Sequence, residues 1–67
     1  MVKITLDKFL KEKGVTRYEL SKRTGVKFQT IDSYYKNRVV RYDSYFLNLV
    51  CKALDCKISD IIEYTED

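Results

Sequence analysis

The chain has 67 residues, 13 Lys/Arg against 10 Asp/Glu and a formal net charge of +3. It holds no run of about 18 apolar residues that would span a membrane, and no signal-peptide core at its start. Without histidine, zinc-finger spacings and Ser-His-Asp hydrolase chemistry are excluded, and two cysteines with no proline do not make a disulfide-dense secreted scaffold.

This length predicts one domain over residues 1–67, near the lower limit for a self-sufficient core. A cytoplasmic location is expected. The charge is unevenly placed. Residues 1–42 carry 11 Lys/Arg and 4 Asp/Glu, whereas residues 43–67 carry 2 and 6. A basic first two-thirds and an acidic tail suit one nucleic-acid-facing surface; the plainer reading is that the charges only solvate a small domain.

A first helix is predicted from about Thr5 to Lys13, with Leu6, Phe9 and Leu10 on its apolar face and Val15 just beyond. Thr5 is the candidate N-cap, Asp7 lies near the positive end of the helix dipole, and Gly14 terminates the helix. The lysines at 8, 11 and 13 are expected in solvent.

The stretch Arg17–Lys36, RYELSKRTGVKFQTIDSYYK, predicts two short helices joined by a turn. Thr16 followed three residues later by Glu19 has capping-box spacing. Gly25 stands where the first helix must end, in a conformation that glycine adopts without steric cost. Counting from Arg17, a small residue falls at the fifth place (Ser21), glycine at the ninth and a β-branched apolar residue at the fifteenth (Ile31). A large side chain at Ser21 would strike the second helix, Gly25 makes the bend, and Ile31 with Tyr34 points into the angle between the helices. Together these make a helix-turn-helix.

This pattern resembles the helix-turn-helix of the phage repressor and Cro family, also called the XRE family. YELSKRTGV is similar to that family's YELAKxTGV, and the ending LVCKALDCKISDIIEY resembles the tail of its short single-domain bacterial and phage members. The resemblance spans about Leu6 to Tyr64. It implies an all-α, five-helix, lambda-repressor-like fold whose central helix-turn-helix binds double-stranded DNA. It further implies a transcriptional regulator, of repressor type, that reads a palindromic operator as a homodimer.

The resemblance also assigns roles. Arg17 falls where such proteins place a group touching the DNA backbone or the recognition helix. Residues 27–36 correspond to the recognition helix, leaving Lys27, Phe28, Gln29, Thr30, Asp32, Ser33 and Lys36 for other surfaces. Gln29 has the chemistry for a bidentate pair with adenine, and Phe28 for covering a thymine methyl. Local packing of Phe28 against Tyr35 or the loop is the alternative. Thr30 and Ser33 can bond bases or phosphate, while Lys27 and Lys36 suit the backbone. Phosphate repels Asp32, which is expected away from the DNA or on a cytosine amino group. Lys27 replaces the family's Ser or Thr helix cap.

The loop NRVVRY follows. Asn37 occupies the place of the family's loop glycine, and asparagine tolerates the left-handed conformation. Arg38 and Arg41 fit phosphate binding or minor-groove insertion, with a solvated loop as the alternative.

A fourth helix is predicted from an Asp43 cap to Asp55, with Leu47, Val50, Cys51 and Leu54 as its core stripe. Phe46, Leu49 and Ala53 then fall on a neighbouring face. Ser59 or Asp60 opens a fifth helical turn, with Ile58, Ile61, Ile62 and Tyr64 adding apolar surface, and Thr65-Glu66-Asp67 is expected to fray. A homodimer interface built from Phe46, Leu49, Ala53, Ile62 and Tyr64 is expected; packing of Phe46 and Leu49 under the first helix or the loop is the competing reading.

Cys51 and Cys56 are expected as buried free thiols, since two thiols without histidine fall short of a metal site. No catalytic group, cofactor or small-molecule ligand is expected. The rival from another class is a protein-interaction module, an antitoxin or antirepressor that grips a partner through its surplus apolar surface.

Overall fold

An element not anticipated from the sequence opens the chain. In this computed structural model, which describes residues 1–66, Val2–Ile4 forms a short strand, β1. Its antiparallel partner is β2, Ile62–Tyr64, with Val2 opposite Tyr64, Lys3 opposite Glu63 and Ile4 opposite Ile62. The expected fifth helix is therefore corrected. Ile58–Asp60 makes a single 3₁₀ turn, after which the chain runs out as a strand. The physical reason lies across the sheet: β1 supplies the hydrogen-bonding partners that a helix would find within itself, and Lys3 meets Glu63 at 3.3 Å. Thr65 does not fray either, because its N–H donates to the Met1 carbonyl at 2.9 Å. Asp67 lies outside the described residues.

Between the strands lie four α-helices: α1, Leu6–Lys13; α2, Arg17–Thr24; α3, Phe28–Tyr35; and α4, Ser44–Leu54. Thr5 precedes α1 but does not cap it through its side chain. Instead it is buried, its N–H donating to the Ile61 carbonyl at 2.8 Å and its hydroxyl directed at the Asp60 carbonyl at 3.5 Å. Gly14, at φ 68°, ends α1 as expected. For α4 the Asp43 carboxylate accepts from the Tyr45 N–H at 3.0 Å, and Asp55, left-handed at φ 51°, closes it one residue short of the expected end.

The core collects Leu6, Phe9 and Leu10 of α1, Leu20 of α2, Ile31 and Tyr34 of α3, Phe46 and Val50 of α4, and Ile4 and Ile61 from the sheet end. Two expectations for α4 are corrected here. Its buried stripe is Phe46 and Val50, with Leu47, Cys51 and Leu54 only half-buried against it. Phe46, expected at a dimer interface, is 4% exposed and stacks on Tyr34 with ring centroids 4.0 Å apart. Leu49 and Ala53 are half-buried.

Candidate nucleic-acid interface

The turn between α2 and α3 is tied by the residues whose spacing suggested it. Gly25 takes φ 75° and its N–H donates to the Ser21 carbonyl at 2.9 Å. The Ser21 hydroxyl crosses the bend to the Val26 carbonyl at 2.6 Å, so a small hydroxylated residue both fits the angle and closes it. Thr24 donates its hydroxyl to the Leu20 carbonyl at 2.8 Å and accepts from the Val26 N–H at 3.2 Å. At the start of α2, Thr16 accepts from the Glu19 N–H at 3.0 Å. The reciprocal half of that capping box is not made; the Glu19 carboxylate turns to Arg23 at 2.6 Å instead.

Arg17 is aimed at the second helix of the pair. Its Nη1 donates to the Asp32 carboxylate, and its guanidinium lies 4.4 Å from the Tyr35 ring centroid and 5.7 Å from that of Phe28. Lys36 joins from the other side, its Nζ 3.1 Å from Asp32. The Lys36 ammonium, and then the Arg17 guanidinium, hold the Asp32 carboxyl below the usual carboxylate range. Asp32 is thus committed to two cations within the fold. Phe28 remains 43% exposed, one face in reach of Arg17 and the rest open.

The outer face of α3 presents Gln29 and Thr30 in solvent, with Lys27 exposed at the helix start and making no side-chain cap. Ser33 is half-buried and donates its hydroxyl to the Gln29 carbonyl at 3.0 Å, which leaves its oxygen as an acceptor. Ile31 and Tyr34 point inward as the spacing required.

The loop after α3 is anchored at both ends. Asn37 is left-handed at φ 57°, and its side-chain oxygen accepts from the Ile4 N–H at 2.9 Å, a bond to β1 that sequence reasoning missed. The Arg38 N–H donates to the Ser33 carbonyl at 2.9 Å. At the far end the Asp43 N–H donates to the Tyr34 hydroxyl at 3.0 Å, with the Tyr42 ring 6.2 Å from that of Tyr34. Arg38 and Arg41 are exposed between these anchors and, like Lys27, have no ion-pair partner among the described residues. The result is an α3 face of amide, hydroxyl and aromatic groups flanked by unneutralised cations on a held loop, chemistry suited to base edges and phosphates.

Elsewhere the chemistry is sparse. Cys51 and Cys56 are free and only half-buried; burial, and then the neighbouring Cys51, push the Cys56 thiol up to about 11. Among the described residues no group of His, Cys, Asp and Glu could hold a metal, and no helix is long and apolar enough to cross a membrane.

Helix, glycine turn, helix and an exposed polar face together define a helix-turn-helix domain. The match to the model of the Cro/C1-type HTH DNA-binding domain runs over residues 5–67, and the chain belongs to that family. No curated protein matches it. Among solved structures, a putative DNA-binding protein from Bacteroides fragilis shares the fold at a TM-score of 0.81 and 22% identity, covering 94% of this chain and 100% of its own. The transcriptional regulator VanUg is similar at a TM-score of 0.75 and 26% identity, covering 98% of this chain and 89% of that one.

Proposed function

We propose that this protein is a sequence-specific regulator of transcription that binds a palindromic operator in double-stranded DNA as a homodimer and represses by masking a promoter. The observation that carries the reading is the exposed α3 face, with Gln29, Thr30 and Phe28 open to solvent, inside a Cro/C1-type DNA-binding domain. In this reading α3 enters the major groove. Gln29 pairs with an adenine edge, Phe28 covers a thymine methyl and Thr30 bonds a base or a phosphate. Lys27, Arg38 and Arg41 hold the backbone, and Ser33, through its remaining acceptor, joins them through water or a base amino group.

Arg17, Lys36 and Asn37 act mainly from within. Arg17 and Lys36 brace α3 through Asp32, and their remaining N–H donors reach phosphate, while Asn37 anchors the loop to β1. The work is done in the cytoplasm and involves no catalysis or cofactor. The rival protein-interaction reading draws on surplus apolar surface along α4; burial of Phe46 removes one aromatic member of that surface, while Tyr45 stays exposed.

The test is the salt dependence of binding to a labelled duplex. If about four phosphate contacts form, log K should fall against log salt with a slope of about −4. Affinity that is flat in salt overturns the DNA reading.

A further inference from the structure

The arginine-bearing loop starts at a residue whose backbone conformation favours glycine but whose side chain makes a bond that glycine could not. Asn37 stands at φ 57°, a region that most side chains avoid. Its N–H donates to the Tyr34 carbonyl at 3.0 Å, and the Arg38 N–H donates to the Ser33 carbonyl at 2.9 Å. These two bonds are the Schellman ending of α3, and glycine at residue 37 would allow both. What asparagine adds is its side-chain oxygen, which accepts from the Ile4 N–H at 2.9 Å.

The donor of that bond is held independently of α3. Ile4 is buried in the core and lies opposite Ile62 in the sheet, and the next N–H, of Thr5, donates to the Ile61 carbonyl at 2.8 Å. Among the described residues no other hydrogen bond joins β1 to α3 or to the loop. Without it, the start of the loop would hang on the last turn of α3, and helix ends fray. The next side chain is Arg38, exposed and with no ion-pair partner among the described residues. We propose that Asn37 is a positioning residue for Arg38: its side chain ties the arginine loop to β1, and phosphate binding by Arg38 depends on that tie. This rests on the DNA-binding reading above. The Nδ2 donors of Asn37 remain available, so a direct bond from them to phosphate is the competing role. Arg38 separates the two.

Asn37→Gly keeps the left-handed turn and removes the tie. It is compared with Arg38→Ala and with the double variant by titrating a labelled duplex over a salt series. Asn37→Gly should weaken binding about fivefold, the worth of one ordinary hydrogen bond, and make the log–log salt slope shallower by up to about 0.9. The double variant should bind no more weakly than Arg38→Ala alone, because the tie acts through that arginine. Losses that multiply would give Asn37 a contact of its own and overturn the proposal, as would an Asn37→Gly protein that binds like the wild type. Amide exchange without DNA is the second readout. In Asn37→Gly the Ile4 and Arg38 amides should exchange faster while those of Leu20 and Ile31 keep wild-type rates. Asn37→Asp, whose carboxylate can accept the same bond, should restore protection at Ile4. A wild type that binds no duplex removes the DNA reading and the role of Arg38 with it. Wild-type binding together with unaltered exchange at Ile4 and Arg38 in Asn37→Gly overturns the tie alone.

Discussion

Arg17, the first residue of α2, donates to Asp32 in the middle of α3 while its guanidinium lies over the Tyr35 ring. Two helices that meet at a glycine turn are thereby fixed to each other at a second point, on the side away from the core. Asp32 also pairs with Lys36, so one carboxylate offsets half of the positive charge that Arg17 and Lys36 bring beside the exposed α3 face.

Removing the shared anion should therefore alter recognition in two ways. Asp32→Asn releases Arg17 and Lys36, so affinity for arbitrary duplex should rise while the ratio of operator to arbitrary binding falls, because α3 is held less firmly. Fluorescence anisotropy on an operator and a scrambled duplex measures both. An unchanged ratio would show that the brace does not position α3.

The same carboxyl gives stability a pH dependence. Its pKa is lower in the fold than in the unfolded chain, so protonation favours unfolding. The contribution is complete above the ordinary value of 3.8 and is lost as the pH falls through and below it. Denaturation midpoints of the wild type should therefore fall more steeply below pH 4 than those of Asp32→Asn. Parallel curves would contradict the pairing.

Gln29→Ala should relax selection at one base position by about 1–3 kcal/mol and leave the melting temperature in place, since the side chain is exposed. A binding-site profile identical to that of the wild type would remove Gln29 from base reading.

Arg38→Ala should weaken binding to all duplexes alike and make the log–log salt slope shallower by about 0.9, the loss of one phosphate contact. If one sequence alone lost affinity, Arg38 would be reading a base.

Phe46→Ala should destabilise the fold by about 3–5 kcal/mol, the usual cost of deleting a buried aromatic ring. In a domain this small that is a large share of the total. The ring it stacks on belongs to Tyr34, whose hydroxyl also holds the end of the arginine-bearing loop, so DNA affinity should fall before the domain unfolds. Urea titration of the variant measures the first effect. A loss under 1 kcal/mol would mean that Phe46 is not a core residue.

The helix-turn-helix was legible in the sequence because each of its features is local. Gly25, Ser21 and Ile31 act within the two helices and their turn, and the structure places them as their chemistry demands. What could not be read was long-range. A three-residue strand shows too little alternation to separate from a helical stripe, so Ile61, Ile62 and Tyr64 passed for a fifth helix until β1 supplied a partner 58 or more residues away in the chain. The same limit hid the bond from Asn37 to Ile4 and the retreat of Phe46 beneath Tyr34. Helical periodicity on α4 offered two faces, and packing against α2 and against the Tyr34 ring of α3 decides which is buried. For Arg17 the sequence left two partners open, backbone phosphate or the second helix, and Asp32 is four residues C-terminal to Phe28 on that helix, within reach of both cations.

The central claim, sequence-specific recognition of duplex DNA through α3, is tested most directly by selecting bound duplexes from a random library with the purified protein at two salt concentrations. An enriched palindrome, retained at the higher salt, is the predicted outcome. Recovery of no preferred sequence at either salt would contradict it.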